Sequence, residues 1–440
     1  IVSAARISEI GLSGGVVKYV AEARSQDDHL GAGVILQTVF LTLFSVLMIL
    51  SVPMHSLFTY GFSLIISGED LVVATSLLPY SIASIIMMVG VGVFSGALDG
   101  YMLMGVRNVA LSVSHILYLV LVYSWVPIYR LLGVAYAQVF QYGFLLIIMW
   151  TMLKFKLREL PIVPSKWDFQ VLKRMLRYGL TFQAITIVNM FFEPLIKVTM
   201  TYWSGLASLG LYEMANKLAL QVRALIVESN RIMVPMIAGV NAEIYGLEQR
   251  KAMVSKAFRI VLLFSVCIFG LMLIASPVIS AVWLGEINEL FLVFLAIVTL
   301  AWALNTVIGP VYFSNLATGC LRPNLISHCV TCLSGIILAN TLGYFFEVWG
   351  VVLAASLSIT AGSLYLLIWY GFNHGPLKPR DFVPKYLFII FLILFLCFCI
   401  SFFVATKLTG AFSTVVTISL LILASLVCLR SVLRLLKKEI

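Results

Sequence analysis

Stretches of about twenty apolar residues follow one another along almost the whole chain, and each can cross the hydrocarbon core of a bilayer. Of the 440 residues, 62% are hydrophobic and 11% are charged. A soluble domain carries about 25% charged residues, so this composition excludes one. A transmembrane β-barrel needs short alternating segments and a polar interior, which the continuous apolar runs do not provide. The expected fold is an all-α polytopic membrane protein, with spans at 7–23, 30–52, 71–98, 109–128, 131–153, 178–203, 207–235, 259–284, 290–316, 324–346, 349–372, 385–405 and 411–430.

Orientation follows from the lysines and arginines of the loops, which favour the cytoplasmic side. Of the 29 such residues, Arg6, Arg130 and Lys407 fall in one set of alternate loops, and Lys18, Lys197, Lys217, Arg223 and Arg231 fall inside helices. All the others fall in the opposite set, so that set and the C-terminus are expected to face the cytoplasm. The net charge of +10 reflects this bias and does not call for a nucleic-acid partner. The longest outer loop, about 53–70, is too small for a catalytic domain.

The chain repeats itself. Ser95–Gly100 with Arg107 and Asn108 parallels Ser314–Gly319 with Arg322 and Asn324, and Gly133–Ala137 parallels Gly350–Ala354. The offsets are 216, 219 and 217, while Ile10–Leu12 parallels Leu209–Leu211 at 199, the longer loop 241–258 absorbing the difference. Each half then holds six helices in the same order, and an even number relates the copies by an axis along the membrane normal. The counterpart of helix 178–203 falls before residue 1, so a first helix is expected to be absent and the intact protein to have fourteen. Helices 385–405 and 411–430 lie outside the repeat.

A charge at the centre of a membrane helix costs about 2.5–3.5 kcal/mol on insertion scales, so such residues are functional or paired. In 178–203, Asn189, Glu193 and Lys197 share a face with Thr186, and Pro194 lies between the charges. Helix 207–235 carries Glu213, Lys217, Gln221, Glu228 and Arg231 on one face, with Asn216, Arg223 and Asn230 beside it and Leu211, Leu218, Val222, Leu225 and Ile226 opposite. Helix 7–23 carries Glu9, Lys18 and Glu22. Lys18 follows Gly11 by seven residues, and Lys217 follows Gly210 by seven. Each half therefore places one lysine at an equivalent depth, facing a cavity between the halves that suits an anion. The competing reading is that Glu193–Lys197 and Glu213–Lys217 neutralise themselves at i, i+4, and that Arg231 is an ordinary anchor at the inner boundary. Asp99 and Arg107 flank a cytoplasmic turn and read as structural.

Phosphate-loop and metal-ligand motifs are absent from the sequence. It contains no GxxxxGK[ST] or HExxH, and His29, His55, His115, His328 and His374 form no ligand cluster. Cys329 and Cys332 have CxxC form without a second pair and read as small buried thiols. No catalytic residue, metal or cofactor is expected.

The segments Gly11–Glu22, Gly96–Gly100 with Asn108, and Leu209–Lys217 resemble those of the polysaccharide (O-antigen type) flippases of the MOP exporter superfamily. The resemblance implies a two-lobed bundle exchanging inward- and outward-open states around a central cavity. It implies a lobe over 1–153 lacking its first helix, a basic cytoplasmic linker over 154–177, a second lobe over 178–372, and two further helices with a basic tail over 373–440. It also implies movement of an undecaprenyl-pyrophosphate-linked oligosaccharide from the cytoplasmic to the periplasmic leaflet of a bacterial inner membrane. The partners are then that lipid-linked oligosaccharide, membrane lipids and the polysaccharide polymerase machinery.

Lys18, Lys197, Lys217, Arg223, Arg231, Asn189, Asn216 and Gln221 are the candidates for binding the pyrophosphate or acidic sugars, with Glu193, Glu213 or Glu22 coupling H+ or Na+. Two alternatives remain. A multidrug exporter of the same superfamily calls for acidic residues against cationic drugs, whereas the buried charges here include at least as many lysines. A membrane polymerase or ligase calls for large outer loops with catalytic arginines or histidines.

Overall fold

The computed structural model describes residues 12–63, 68–161, 163–239, 242–374, 385–407 and 411–439. Among the described residues all regular structure is helical. The helices are α1 (Leu12–Ser25), α2 (His29–Ser63), α3 (Glu69–Gly100), α4 (Met104–Tyr129), α5 (Leu131–Lys156), α6 (Phe169–Asn230), α7 (Met233–Ala238), α8 (Ala242–Leu284), α9 (Glu289–Val307), α10 (Gly309–Thr318), α11 (Arg322–His374), α12 (Lys385–Lys407) and α13 (Ala411–Glu439).

Among the described residues, ten helices are long and apolar enough to cross a membrane, and the polytopic all-α expectation is borne out. Two of them, Phe169–Ala238 and Arg322–Asn373, each contain two expected spans. The expected span 7–23 corresponds to α1, while residues 7–11, including the candidate charge Glu9, lie outside the described residues. Two of the expected loops are mostly helical. Helix α2 continues through Pro53 to Ser63, so most of the expected outer loop is helical. The segment expected as the loop 241–258 is helical from Ala242 onward.

The internal repeat is visible in the backbone. Arg130 turns the chain between α4 and α5 at φ 52, ψ −131, and Glu347 bends α11 at φ 48, ψ −125, at positions 217 apart. The same spacing separates Gly68 (φ 70) from Gly285 (φ 78), and Met102 (φ 61) from Gly319 (φ 79). Gly133 and Gly350 repeat it again. A Cβ at Gly133 would stand 2.6 Å from the Trp125 carbonyl oxygen, and one at Gly350 would collide with the Leu342 carbonyl. Both glycines let a helix start directly against the one before it. The structure aligns Gly319 with Met102, two positions from the Gly100 match expected from sequence, because the positive-φ turn residue is what recurs.

The chain divides into two compact units: unit 1 runs to Thr186 with Val234–Ile244 and Ala317–Leu321, and unit 2 comprises Ile187–Met233, Tyr245–Leu316 and Arg322 onward. In unit 1, α3 packs against α1, α2 and α5, with Leu36, Leu43, Leu78, Leu98, Leu145 and Met149 buried. Unit 2 has its core on α9, where Phe291, Phe294, Leu295 and Val298 meet Met200, Tyr212 and Val351. Helices α12 and α13 cover α8 through Leu263, Ile274, Leu387, Leu394 and Ala424, and Gly270 lets Leu394 approach closely. In a bilayer such contacts are held by van der Waals packing, because lipid tails are as apolar as leucine. The large side chains left outside, such as Leu119, Tyr123, Ile147 and Phe372, belong against lipid.

The segment preceding α6 is tied to α2. Gln37 Oε1 accepts from the amides of Ser165 at 3.0 Å and Lys166 at 3.1 Å, and the Trp167 indole donates to Thr42 at 3.0 Å. Asp168 Oδ1 then caps α6, accepting from Gln170 N at 2.7 Å and Val171 N at 3.2 Å.

Candidate functional site

The charged helices expected from sequence end in two different settings. In unit 1, Lys18 is 6% exposed, and its ammonium lies 2.9 Å from Glu22 Oε1 and 4.3 Å from the Tyr19 ring centroid. Arg174 reaches the other Glu22 oxygen at 3.0 Å and also lies over the Tyr19 ring. Gly319, in the Ala317–Leu321 part of the same unit, sits so near that a Cβ there would be 3.1 Å from Lys18 Nζ. Two cations, one carboxylate and an aromatic face make Lys18 a closed electrostatic knot. Arg107 likewise pairs with Asp99 across the α3–α4 turn, matching the structural role expected for them. Next to that turn, burial raises the Tyr101 phenol to about 12, so it meets His29 Nδ1 at 3.2 Å as a neutral group.

In unit 2 the sharp feature is Gly205, at φ 76 and ψ 174, which folds α6 into two arms. Lys197 stands eight residues before it and Glu213 eight residues after it, each about 12 Å along its arm. The arms therefore bring them together, and Lys197 Nζ lies 3.0 Å from Glu213 Oε2 and 2.8 Å from Glu193 Oε1. The expected Glu193–Lys197 pair forms. The expected Glu213–Lys217 pair does not, because Glu213 turns across the bend to Lys197. Two carboxylates share one ammonium, and Glu213 Oε1 is buried with no hydrogen-bond partner among the described residues.

Lys217 and Gln221 are exposed on a stripe that continues to Leu225, 69% exposed. Leu225 lies four residues past Gln221, so it shares the polar face instead of lying opposite it, as the sequence reading had it. Lys217 has no ion-pair partner among the described residues. Arg231 is exposed and pairs at 3.1 Å with Glu228.

Beside the arms of α6 lies a cavity of about 190 Å³. Of the sequence candidates, Asn189, Glu193, Asn216 and Arg223 line it, while Lys217, Gln221 and Arg231 do not. Its remaining wall comes from residues outside the sequence candidates, among them Trp302, Asn305, Ser327 and His328. An amide in the middle of an apolar run, at Asn305, was the available signal.

Arg223 anchors the wall: its Nε donates to Asn305 Oδ1 at 3.0 Å, and its guanidinium lies 5.0 Å from the Trp302 ring centroid. Asn305 in turn donates to Ser363 Oγ at 2.9 Å, and Asn216 Oδ1 accepts from the Trp302 indole at 2.9 Å. Among the described residues no carboxylate lies within ion-pair distance of Arg223, an expensive arrangement inside a membrane helix and one that marks a site.

Comparison with known proteins places this architecture. No curated protein matches the chain. Residues 35–249 match the family model described as polysaccharide biosynthesis protein. Among solved structures, a MOP superfamily transporter from Pyrococcus furiosus is similar at 13% identity and a TM-score of 0.69, over 84% of each chain. A MATE transporter in a bent conformation aligns at 16% identity and a TM-score of 0.71, over 86% of this chain and 87% of that one. A MATE transporter of Vibrio cholerae aligns at 13% and 0.70, over 84% and 86%. The resemblance read from Gly11–Glu22 and Leu209–Lys217 is borne out: this membrane protein has the fold of the MOP superfamily transporters and carries a polysaccharide-biosynthesis match over residues 35–249.

Proposed function

We propose that the chain is a transporter that carries a lipid-linked oligosaccharide from the cytoplasmic to the periplasmic leaflet by alternating access. The observation that carries this reading is Arg223, a guanidinium in a polar cavity of unit 2 without a carboxylate partner among the described residues. A membrane protein bears that cost where an anionic ligand offsets it. Lys217, exposed and without an ion pair among the described residues, extends the cationic surface. Lys197 with Glu193 and Glu213, one ammonium against two carboxylates, supplies the site that couples H+ or Na+ to the movement.

The loop charges direct the basic face and the C-terminus to the cytoplasm. The match to a polysaccharide biosynthesis protein over residues 35–249 supports a cargo drawn from polysaccharide assembly.

Multidrug export is the second reading, since one of the similar structures is a multidrug resistance MATE family transporter. The Pyrococcus furiosus transporter is described as having a binding pocket of reverse polarity that suggests a different function. In the present cavity the Arg223 guanidinium, with no carboxylate partner among the described residues, disfavours a cationic drug, which favours the anionic cargo.

A strain lacking the gene tests this. Its lipid-linked precursor is expected to accumulate on the cytoplasmic face and to be released by the full-length gene. Normal surface polysaccharide with altered drug sensitivity would replace the oligosaccharide with a drug as cargo.

A further inference from the structure

Hydrogen-bond accounting in the unit 2 cavity selects its occupant. Guanidinium and indole N–H groups only donate, so the atoms of Asn305 and Asn216 that meet them must be the amide oxygens. Each amide oxygen thus already accepts one bond, and Asn305 Nδ2 donates one to Ser363. Ser327 and Thr331 direct their hydroxyl protons at the backbone carbonyls of Gly362 and Ser327. Arg223 Nη1 and Nη2 and Asn216 Nδ2 are left as donors without partners among the described residues. A ligand with acceptors satisfies these donors, and beside a guanidinium negative charge adds to the attraction.

Two further features narrow it. A cavity of about 150 Å³ holds one benzene-sized ring, so the about 190 Å³ here matches the size of a single six-membered sugar ring. Glu193, paired with Lys197, lines the same space, and its carboxylate can accept hydrogen bonds from sugar hydroxyls.

We propose that this cavity binds one carboxylate-bearing sugar ring of the transported oligosaccharide, with the carboxylate held by the Arg223 guanidinium fork and the ring beside Trp302. The assignment rests on the oligosaccharide reading above and gives it a specificity, for repeat units containing a uronic-acid-type residue. The Asn305 bond fixes Nε and leaves the Nη atoms for the carboxylate, the two-pronged geometry that a lysine does not reproduce.

The experiment is calorimetric titration of the purified full chain with glucuronate, glucose and inorganic pyrophosphate. Glucuronate is expected to bind at least about tenfold tighter than either of the others. R223Q is expected to weaken glucuronate by at least about tenfold, and K251Q, at an exposed pair with Glu248, to leave it unchanged. If R223Q does not purify as a single species, R223K, which keeps the charge and loses the fork, is read with the same expected loss.

Equal binding of glucose, absence of glucuronate binding, or wild-type affinity in both Arg223 variants overturns the proposal. Tighter binding of pyrophosphate overturns it too, by assigning the oxyanion to the lipid carrier. Titration of a free sugar requires no translocation, so its failure leaves the precursor result of the deletion strain intact. Failure of the deletion experiment leaves the binding result standing in turn.

Discussion

The two halves share a backbone and handle charge in opposite ways. In the first, Lys18 is buried against Glu22 and the Tyr19 ring, and Arg174 shares Glu22 with it. In the second, Lys217 is exposed without an ion pair among the described residues, and Arg223 stands in a cavity with donors to spare. The turns that recur 217 residues apart hold the same helix hairpins in both halves. Backbone symmetry is thus kept by a few steric requirements, while the side chains on it have separated into a knot and a binding surface.

Breaking what the halves share should have the largest effect. A methyl group at Gly350 or Gly133 meets a carbonyl oxygen of the preceding helix, and neither backbone has room to retreat. Gly350→Ala should cost more than about 4 kcal/mol and leave no monodisperse protein on size-exclusion chromatography. Gly133→Ala should do the same or slightly less. A normal elution profile for both would show that the hairpins do not depend on the repeated glycine.

The contrast itself is tested by matched lysine variants. Lys18→Ala removes an ammonium from a buried cluster but leaves Arg174 on Glu22, so about 2–3 kcal/mol of stability should be lost. Lys217→Ala should change stability by less than about 0.5 kcal/mol, yet abolish release of the precursor from the cytoplasmic leaflet. Thermal melts of the purified variants beside the leaflet assay separate the two. A Lys217 variant that transports normally would reduce the second half's exposed lysine to a surface charge.

Within unit 2, Lys197→Ala leaves Glu193 and Glu213 facing each other. Because Lys197 is 34% exposed, solvent screens the repulsion, and a loss of about 1 kcal/mol is expected. Adding Glu193→Gln should recover most of it. Recovery by Glu193→Gln but not by Glu213→Gln would place the strain on the half-exposed carboxylate instead of the buried one. The melting midpoints of the single and double variants form the cycle that decides this.

The fold was largely legible in the sequence because a bilayer allows few solutions: apolar length gives the spans, and the recurrence of Gly133 and Gly350 gives the repeat. The environment of each charge was not legible. Lys18 and Lys217 occupy matching positions after a glycine, and nothing in their own helices shows that Arg174 and Tyr178 close over the first. Helical periodicity pairs Glu213 with Lys217, but the bend at Gly205 offers Glu213 a partner on the other arm. Arg223 was recognised as a cation in the wrong solvent. Its cavity was missed because Trp302, Asn305 and His328 come from helices that read as core.

Arg231 offers the smallest effect, and it decides between two readings open from the sequence onward. As part of the cationic cargo path, it belongs with Lys217 and Arg223. As an anchor at the inner boundary, it needs only water and a nearby carboxylate. The structure gives it Glu228, three residues earlier at 3.1 Å, with both side chains more than half exposed. An exposed pair of that kind contributes about 0–1 kcal/mol, and Arg231 lies outside the cavity that Arg223 lines. Arg231→Ala should therefore shift the melting midpoint by less than the scatter among replicate preparations and lower precursor release less than about twofold. A tenfold loss of release at unchanged stability would return Arg231 to the cargo path. The cationic surface of the second half would then run along the exposed stripe from Lys217 to the end of α6.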